Sequence, residues 1–245
     1  MILALTAREI RSSLLTPPWW VLLTSTQVAL SWIFLQTIES FSQRGDEQRL
    51  ASLTQELCLN LFGFAAVPVM FAAPILAMRM LSTEFRDGTY DLLAAAPLSP
   101  ITILFGKFAA LAILIAPLCL LPLANLPVLL GSIQLDWGQI AGATFGLWCA
   151  ALFFCAVGLY ASSRTDQPGA SVLIAFAILV LFSIIGRAES LVAQDLSLFG
   201  WLSWNKHLFW FLLGTVRLSD LAYFGLFILF FLALAHRHLL NRQLG

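Results

Sequence analysis

The chain has 245 residues, of which 60% are hydrophobic and only 11% are charged, and its formal net charge is zero. An ordinary soluble domain carries roughly a quarter charged residues, and a water-soluble fold of this size has too little interior to hide so much apolar surface. The composition therefore excludes a soluble globular protein. The charges are clustered, and the runs between them reach the length of about 20 residues that a membrane-spanning helix needs. We therefore expect an all-α integral membrane protein with six transmembrane helices.

The first 16 residues combine charged side chains with an apolar stripe along one face of a helix. The stripe consists of Leu3, Ala7, Ile10 and Leu14, and the charges are those of Arg8, Glu9 and Arg11. This pattern is typical of a helix that lies in the membrane surface, and we expect it to end at Pro17 and Pro18. Because the charges lie within the helix and no small-residue cleavage site follows, the pattern indicates a retained segment rather than a cleaved signal peptide.

Six apolar segments follow in chain order, and they lie within residues 19–38, 57–78, 101–130, 137–161, 170–185 and 221–240. The polar connection 40–56 is predicted to be a loop or a surface helix. Prolines interrupt the second and third segments, where we expect bends; neighbouring helices make such prolines tolerable in a membrane. The whole chain, residues 1–245, is predicted to be a single transmembrane domain.

Lysine and arginine residues are more frequent on the side of the membrane that holds the N-terminus. Six spans place eight of them on that side: Arg8, Arg11, Arg79, Arg86, Lys107, Arg164, Arg237 and Arg242. The other five lie on the opposite side, together with most of the acidic residues. Because positively charged loops stay in the cytoplasm, we expect both termini to be cytoplasmic.

Most sequence signatures of catalysis are missing. The chain has no phosphate-binding loop of the form G-x-x-x-x-G-K-[ST], so we expect no ATPase activity and no bound cofactor in this chain. The four cysteines lie in predicted spans without metal-ligand spacing, so we expect no metal site. No strong acid or base lies at the middle of a predicted span, which argues against a proton-driven carrier.

The connection between the second and third spans, residues 79–100, combines charges, a turn residue and an apolar face. Ser82 or Thr83 is a candidate helix cap, Gly88 a candidate break, and Tyr90, Leu93 and Ala94 are candidates for the apolar face that follows. Two interpretations follow from these residues alone. The segment is either a solvated connector with a surface helix or a docking element for a soluble partner.

The residues of this connection resemble a known family. Glu84-Phe-Arg-Asp-Gly-Thr-Tyr-Asp-Leu-Leu, with Ala-Pro-Leu-Ser-Pro and Gly106-Lys107-Phe108 after it, resembles the loop of ABC-2 type permeases. Its form is similar to that of the gliding-motility-type permease subunits, although Asp91 stands where those proteins commonly have Glu. A second similarity, formed by Phe209, Gly214, Leu218 and Asp220, leads into the last span.

The resemblance implies one transmembrane half of an ABC transporter in a bacterial inner membrane. ATP and magnesium would be bound by a separate ABC ATPase subunit, present in two copies beside two permease chains that are identical or related. Residues 1–16 would form an interfacial elbow helix, and a coupling helix between spans two and three would dock on the ATPase. An accessory membrane or periplasmic subunit is compatible with this scheme, and no nucleic-acid partner is expected.

The resemblance also implies roles for particular residues. The predicted ATPase-docking residues are Glu84, Arg86, Asp87, Gly88, Thr89 and Asp91, and a second cytoplasmic contact would involve Arg164 and Asp166. Residues 187–220 are too apolar for a free loop and too interrupted for a span, and they are similar to the short re-entrant helices of the family. Their candidate gate residues are Trp201, Trp204, Phe209 and Gly214; the alternative role is an aromatic anchor at the membrane interface.

Three functions remain open at this point. The first is the permease subunit of an ABC-2 exporter, and the second is a membrane anchor that transmits ATP-driven force to a partner without moving a solute. The third, an intramembrane enzyme, lacks a catalytic pair or metal cluster in the sequence. The apolar, aromatic and small residues of the spans suit a lipid, a hydrophobic molecule or a peptide as substrate about equally.

Overall fold

The computed structural model describes residues 2–43, 52–89, 99–129, 134–188 and 197–244. These residues form helices and turns without a strand, and six of their helical segments are long and apolar enough to cross a membrane. The prediction of an all-α integral membrane protein with six spans is therefore confirmed.

Eleven α-helices are described in these residues. They are α1 (Ile2–Leu14), α2 (Pro17–Gln43), α3 (Leu53–Leu57), α4 (Gly63–Met78), α5 (Ser82–Arg86), α6 (Pro100–Leu120), α7 (Trp137–Arg164), α8 (Pro168–Ala188), α9 (Ser197–Leu202), α10 (Trp204–Leu212) and α11 (Leu218–Leu244). A π-helical segment, Cys58–Phe62, joins α3 to α4, and a 3-10 segment, Leu121–Leu129, continues α6. The six spans are thus α2, the run from α3 to α5, α6 with its 3-10 segment, α7, α8 and α11.

The spans are longer than their apolar cores. The first runs to Gln43 and the second begins at Leu53, so the prediction that residues 40–56 form one polar connection was wrong at both ends. Helical hydrogen bonds continue past the apolar zone because polar side chains there reach water without breaking the backbone ladder. Ser52 begins the second span as an N-cap, its hydroxyl accepting a hydrogen bond from the Gln55 N–H at 3.2 Å.

Helix α7 lies at the centre of the bundle, because 72% of its most apolar stretch is buried by the other helices. The Phe153 ring is fully buried and lies at the middle of an aromatic cluster. Its neighbours, at ring-centroid distances of 5.7 to 6.4 Å, are Phe154, Phe182, Tyr223, Phe224, Phe227 and Phe231. These rings come from α7, α8 and α11, so the cluster joins three spans.

The 3-10 segment of the third span begins between two prolines. Pro117 and Pro122 each lack an N–H group and so interrupt the α-helical hydrogen-bond ladder. The Asn125 side chain stabilises the segment from inside the bundle, where its Oδ1 accepts hydrogen bonds from Ser31 Oγ at 3.0 Å and Gln27 Nε2 at 3.3 Å. Polar side chains thus connect the third span to the first.

The second and fourth spans approach closely at a glycine. A Cβ atom added at Gly158 of α7 would lie 2.7 Å from Ala77 Cβ and 3.4 Å from the Ala73 carbonyl oxygen of α4. Small residues at such positions let membrane helices pack backbone to backbone, which is a main source of attraction where no water is expelled.

We therefore predict that Gly158→Ala destabilises the folded chain by about 1–3 kcal/mol, because the added methyl group forces α4 and α7 apart. The measurement is thermal unfolding in detergent. The matched control is Gly225→Ala on α11, where an added Cβ has no atom within 4 Å and should not lower the melting temperature. Equal melting temperatures for the two variants would contradict the close approach.

Candidate functional site

The bundle has two ends with different polar features. We define the termini end as the one that carries α1, α5 and the last turns of α11, and the far end as the one that carries α9 and α10. At the termini end Arg242 of α11 binds Asp166 with 2.7 Å between Nη2 and Oδ1. At the far end Gln139, in the first turn of α7, donates from Nε2 to the Leu212 carbonyl of α10 at 3.0 Å.

At the termini end, the short helix α5 is attached to the centre of the bundle through two buried serines. The Ser82 N–H donates to Ser162 Oγ at 2.9 Å, and Ser82 Oγ donates to the Ser162 carbonyl at 3.0 Å. Both residues are fully buried. The hydroxyl of Ser82 is therefore committed to α7, and Leu81 rather than Ser82 or Thr83 occupies the N-cap position of α5. The predicted caps were wrong because these contacts depend on tertiary structure.

A fully buried lysine lies on the other side of α5. Lys107 of α6 has no exposed surface, and its Nζ lies 2.7 Å from Glu84 Oε1 of α5 and 3.4 Å from Glu9 Oε1 of α1. The neighbouring backbone takes part as well, because Thr6 Oγ1 donates to the Gly106 carbonyl at 3.1 Å. Removing a charge from water is costly unless it is paired, and this cluster pairs the ammonium with carboxylates from two other elements.

The C-terminal helix contacts α5 from a third direction. The Arg242 guanidinium lies over the Phe85 ring, 3.9 Å from its centroid, while it also binds Asp166 in the connection between α7 and α8. A cation over an aromatic face is attracted by the ring's negative face. Helix α5 therefore contacts α6, α7 and α11, although it is only five residues long.

Residues 86–89, at the end of α5 and directly after it, are exposed at the termini end. The side chains of Arg86 and Asp87 are 57% and 52% exposed and bind each other at 3.0 Å. Gly88 has a φ of +68°, which favours glycine, and it ends α5 as predicted. Thr89 is exposed, and its hydroxyl lies 3.5 Å from the Glu84 carbonyl. This strip, residues 86–89, is an exposed charged turn at the end of a helix that other spans hold in place.

The comparison with known families agrees with this geometry. The family model described as "ABC-2 family transporter protein" matches residues 22–235, which is most of the chain. The chain belongs to the ABC-2 transporter family. No curated protein matches the sequence. As an ABC-2 permease, the chain is the membrane component of an ABC transporter, and the family pairs such a component with an ABC ATPase subunit.

The predicted docking residues of the permease divide into two groups. Glu84 faces inward, with 16% of its side chain exposed and its carboxylate on Lys107. The other described members, residues 86–89, are exposed. Asp91 lies outside the described residues. Of the predicted second contact, Arg164 ends α7 and is exposed, and Asp166 is held by Arg242; these residues lie at the same end as α5.

At the far end, the gate candidates lie on two short helices and the turn after them. Trp201 and Phe209 are about half exposed, at 44% and 45%, whereas Trp204 is buried and packs edge-to-face on Phe154 at 5.0 Å between ring centroids. Gly214 has a φ of +80° and lies against Gln139 at the start of α7. The four residues therefore do not form one cluster: Trp204 packs on Phe154, Trp201 packs edge-to-face on Tyr223 at 5.6 Å between ring centroids, and Gly214 makes a turn.

A buried histidine and aspartate hold these short helices to the last span. His207 Nδ1 of α10 lies 2.6 Å from Asp220 Oδ1 of α11, and His207 Nε2 lies 2.8 Å from the Trp201 carbonyl. Because a carbonyl oxygen only accepts, Nε2 donates to the Trp201 carbonyl. The His207 ring also stacks on Tyr223 at 4.0 Å.

These side chains satisfy the backbone at the break between α9 and α10. The last carbonyl groups of a helix have no partner within it, and a membrane supplies none. Here the Trp201 carbonyl accepts from His207, and the Leu202 carbonyl accepts from the Tyr223 hydroxyl at 2.7 Å. The interrupted helix is thereby tolerated at a place where a continuous helix would otherwise be needed.

Sequence reasoning missed the pairing of Lys107 with Glu84 and the roles of His207, Asp220 and Tyr223. Asp220 and Tyr223 are three residues apart in the sequence, on one face of a helix, and His207 is the one histidine within the aromatic segment. That spacing was the available signal, but the partner across the turn depends on how α10 folds back.

We predict that Tyr223→Phe destabilises the permease by about 1–3 kcal/mol, because the Leu202 carbonyl loses its partner in a buried site. Thermal unfolding in detergent is the measurement. Tyr160→Phe on α7 is the matched control, since the hydroxyl of Tyr160 makes no hydrogen bond that the described residues show, and it should unfold like the wild type. A Tyr223→Phe protein as stable as that control would contradict the capping role.

Proposed function

We propose that this permease exports a substrate across a bacterial inner membrane, with ATP hydrolysed by a separate ABC ATPase subunit. The observation that carries the proposal is the exposed strip of residues 86–89, at the end of a short helix that α6, α7 and α11 brace. A docking surface must transmit force as well as bind, and coupling between sites needs a physical element that moves as a unit. The braced α5 has that property.

The proposed working complex contains two permease chains and two ATPase subunits. The second permease is another copy of this chain or a related one, and an accessory membrane or periplasmic subunit is compatible with the scheme. ATP and magnesium belong to the ATPase subunits, in keeping with the missing phosphate loop in this sequence. Residues Arg164 and Asp166 supply a second, smaller contact beside the strip.

The proposed orientation places the termini end in the cytoplasm. Arg8, Arg79, Lys107 and Arg242 belong to helices or turns of that end, and basic residues are enriched on the cytoplasmic side of membrane proteins. Helix α1 is the interfacial elbow helix in this scheme, and its apolar stripe would lie in the headgroup region. The far end, with α9 and α10, then faces outward, where Trp201, Trp204, Phe209 and Gly214 form the proposed outer gate.

The docking proposal predicts that Asp87→Arg greatly reduces the amount of ATPase that copurifies with the permease from native membranes. The substitution reverses a charge on the exposed strip and places two arginines side by side, and like charges brought onto a complementary surface oppose binding. The measurement is a detergent pull-down followed by quantification of the ATPase subunit.

The matched control is Glu39→Arg, the same charge reversal at an exposed position in the last turns of α2, at the opposite end of that helix from α1. It should leave copurification unchanged. If Asp87→Arg retains the ATPase as well as Glu39→Arg does, the strip is not the docking surface.

The orientation proposal predicts opposite labelling of two exposed threonines. In intact cells a membrane-impermeant maleimide should react with Thr215→Cys and not with Thr89→Cys. In inverted membrane vesicles from cells that express the permease without its ATPase, which would cover position 89, the pattern should reverse. Both positions are exposed, and the four native cysteines are buried, which keeps background labelling low. Labelling of Thr89→Cys in intact cells would place the termini end outside.

A further inference from the structure

Lys107 is a charged residue in a place where an apolar one would fit. Lysine is almost never fully buried unless it is paired, and Lys107 has no exposed surface. Its ammonium group lies between carboxylates that belong to α5 and α1, and it belongs itself to α6. Three elements that are separate along the chain therefore meet at one nitrogen atom.

Stability alone does not explain this choice of residues. Replacing a buried ion pair by well-packed apolar side chains is often neutral or stabilising, whereas an ion pair fixes the relative position of the groups that carry it. The 2.7 Å contact between Lys107 Nζ and Glu84 Oε1 is short and charge-assisted, which makes it strong and directional. The cluster therefore contributes more to the relative position of α1, α5 and α6 than to the stability of the fold.

We propose that Lys107 is a positioning residue that fastens α5 to the third span through Glu84, so that a displacement of α5 by the ATPase moves α6. The inference rests on the proposed function, because it assumes an ATPase that pushes on α5. A five-residue helix does not hold its own orientation. The serine contacts fix the start of α5 to α7, and the Glu84–Lys107 pair fixes its middle to α6.

Glu9 has a different part in the cluster. Its Oε1 lies 3.4 Å from the ammonium, and it comes from α1 rather than from α5. It is the second counter-charge of the buried ammonium and joins α1 to α6. Loss of Glu9 therefore leaves the connection between α5 and α6 in place, whereas loss of Glu84 removes it.

This difference provides a matched pair of variants, Glu84→Met and Glu9→Met. Each removes one carboxylate, keeps the length of the side chain and leaves Lys107 with one carboxylate partner. The first measurement is hydrogen exchange of the α5 amides in the permease alone. Glu84→Met should accelerate exchange about tenfold, in line with the loss of one charge-assisted hydrogen bond, and Glu9→Met should not.

The second measurement follows α6 in the assembled complex. An environment-sensitive fluorophore on Ile113→Cys, an exposed position of α6, should report an ATP-dependent shift in the otherwise unchanged complex. The shift should persist in Glu9→Met and be lost in Glu84→Met, while both variants still copurify with the ATPase.

Three results would overturn the inference: an unchanged fluorescence shift in Glu84→Met, equal effects of the two Met variants, or a loss of ATPase binding in Glu84→Met, which would make Glu84 a docking residue. Hydrogen exchange does not need the ATPase, so it tests the Glu84–Lys107 contact by itself. Copurification with the wild type tests the proposed function separately.

Discussion

A hydrocarbon environment offers no hydrogen bonds, so a charge or a freed backbone group of this chain that lies within the membrane has to find its partner in the protein. The termini end meets this constraint with the Glu84–Lys107 pair and the contacts between Ser82 and Ser162. The far end meets it with His207 and Tyr223, which donate hydrogen bonds to the Trp201 and Leu202 carbonyls of α9. In both places an interruption of regular helix is paired with side chains from a different span.

The same constraint fixes the short helix α5 to the spans. A surface helix that was attached only by its own chain would move independently of the spans, and binding energy at its surface would be lost as local motion. Partners in α6, α7 and α11 prevent this, because a displacement of α5 has to move them or break buried polar contacts. The exposed strip of residues 86–89 can therefore bind a soluble partner while the residues behind it stay fixed to the bundle.

Hydropathy and motif were sufficient to predict the six spans, the break at Gly88 after the short helix α5 and the family, because these depend on local composition and spacing. They were not sufficient for the direction of individual side chains. Glu84 was expected on the docking surface, yet its partner Lys107 lies 23 positions further along the chain, and only the packing of α6 against α5 brings the two together. The pairing of His207 with Asp220 depends in the same way on how α10 turns back onto α11.

In the proposed complex the strip of residues 86–89 touches an ABC ATPase, and site-specific photo-crosslinking in intact membranes is the decisive test of this contact. A photoreactive residue at position 87 should crosslink to the ATPase subunit, identified by mass spectrometry, and one at the exposed Val216 of the far end should not. Crosslinks to the ATPase from position 216 and none from position 87 would rule out this contact, because the soluble partner would then lie at the opposite end of the bundle.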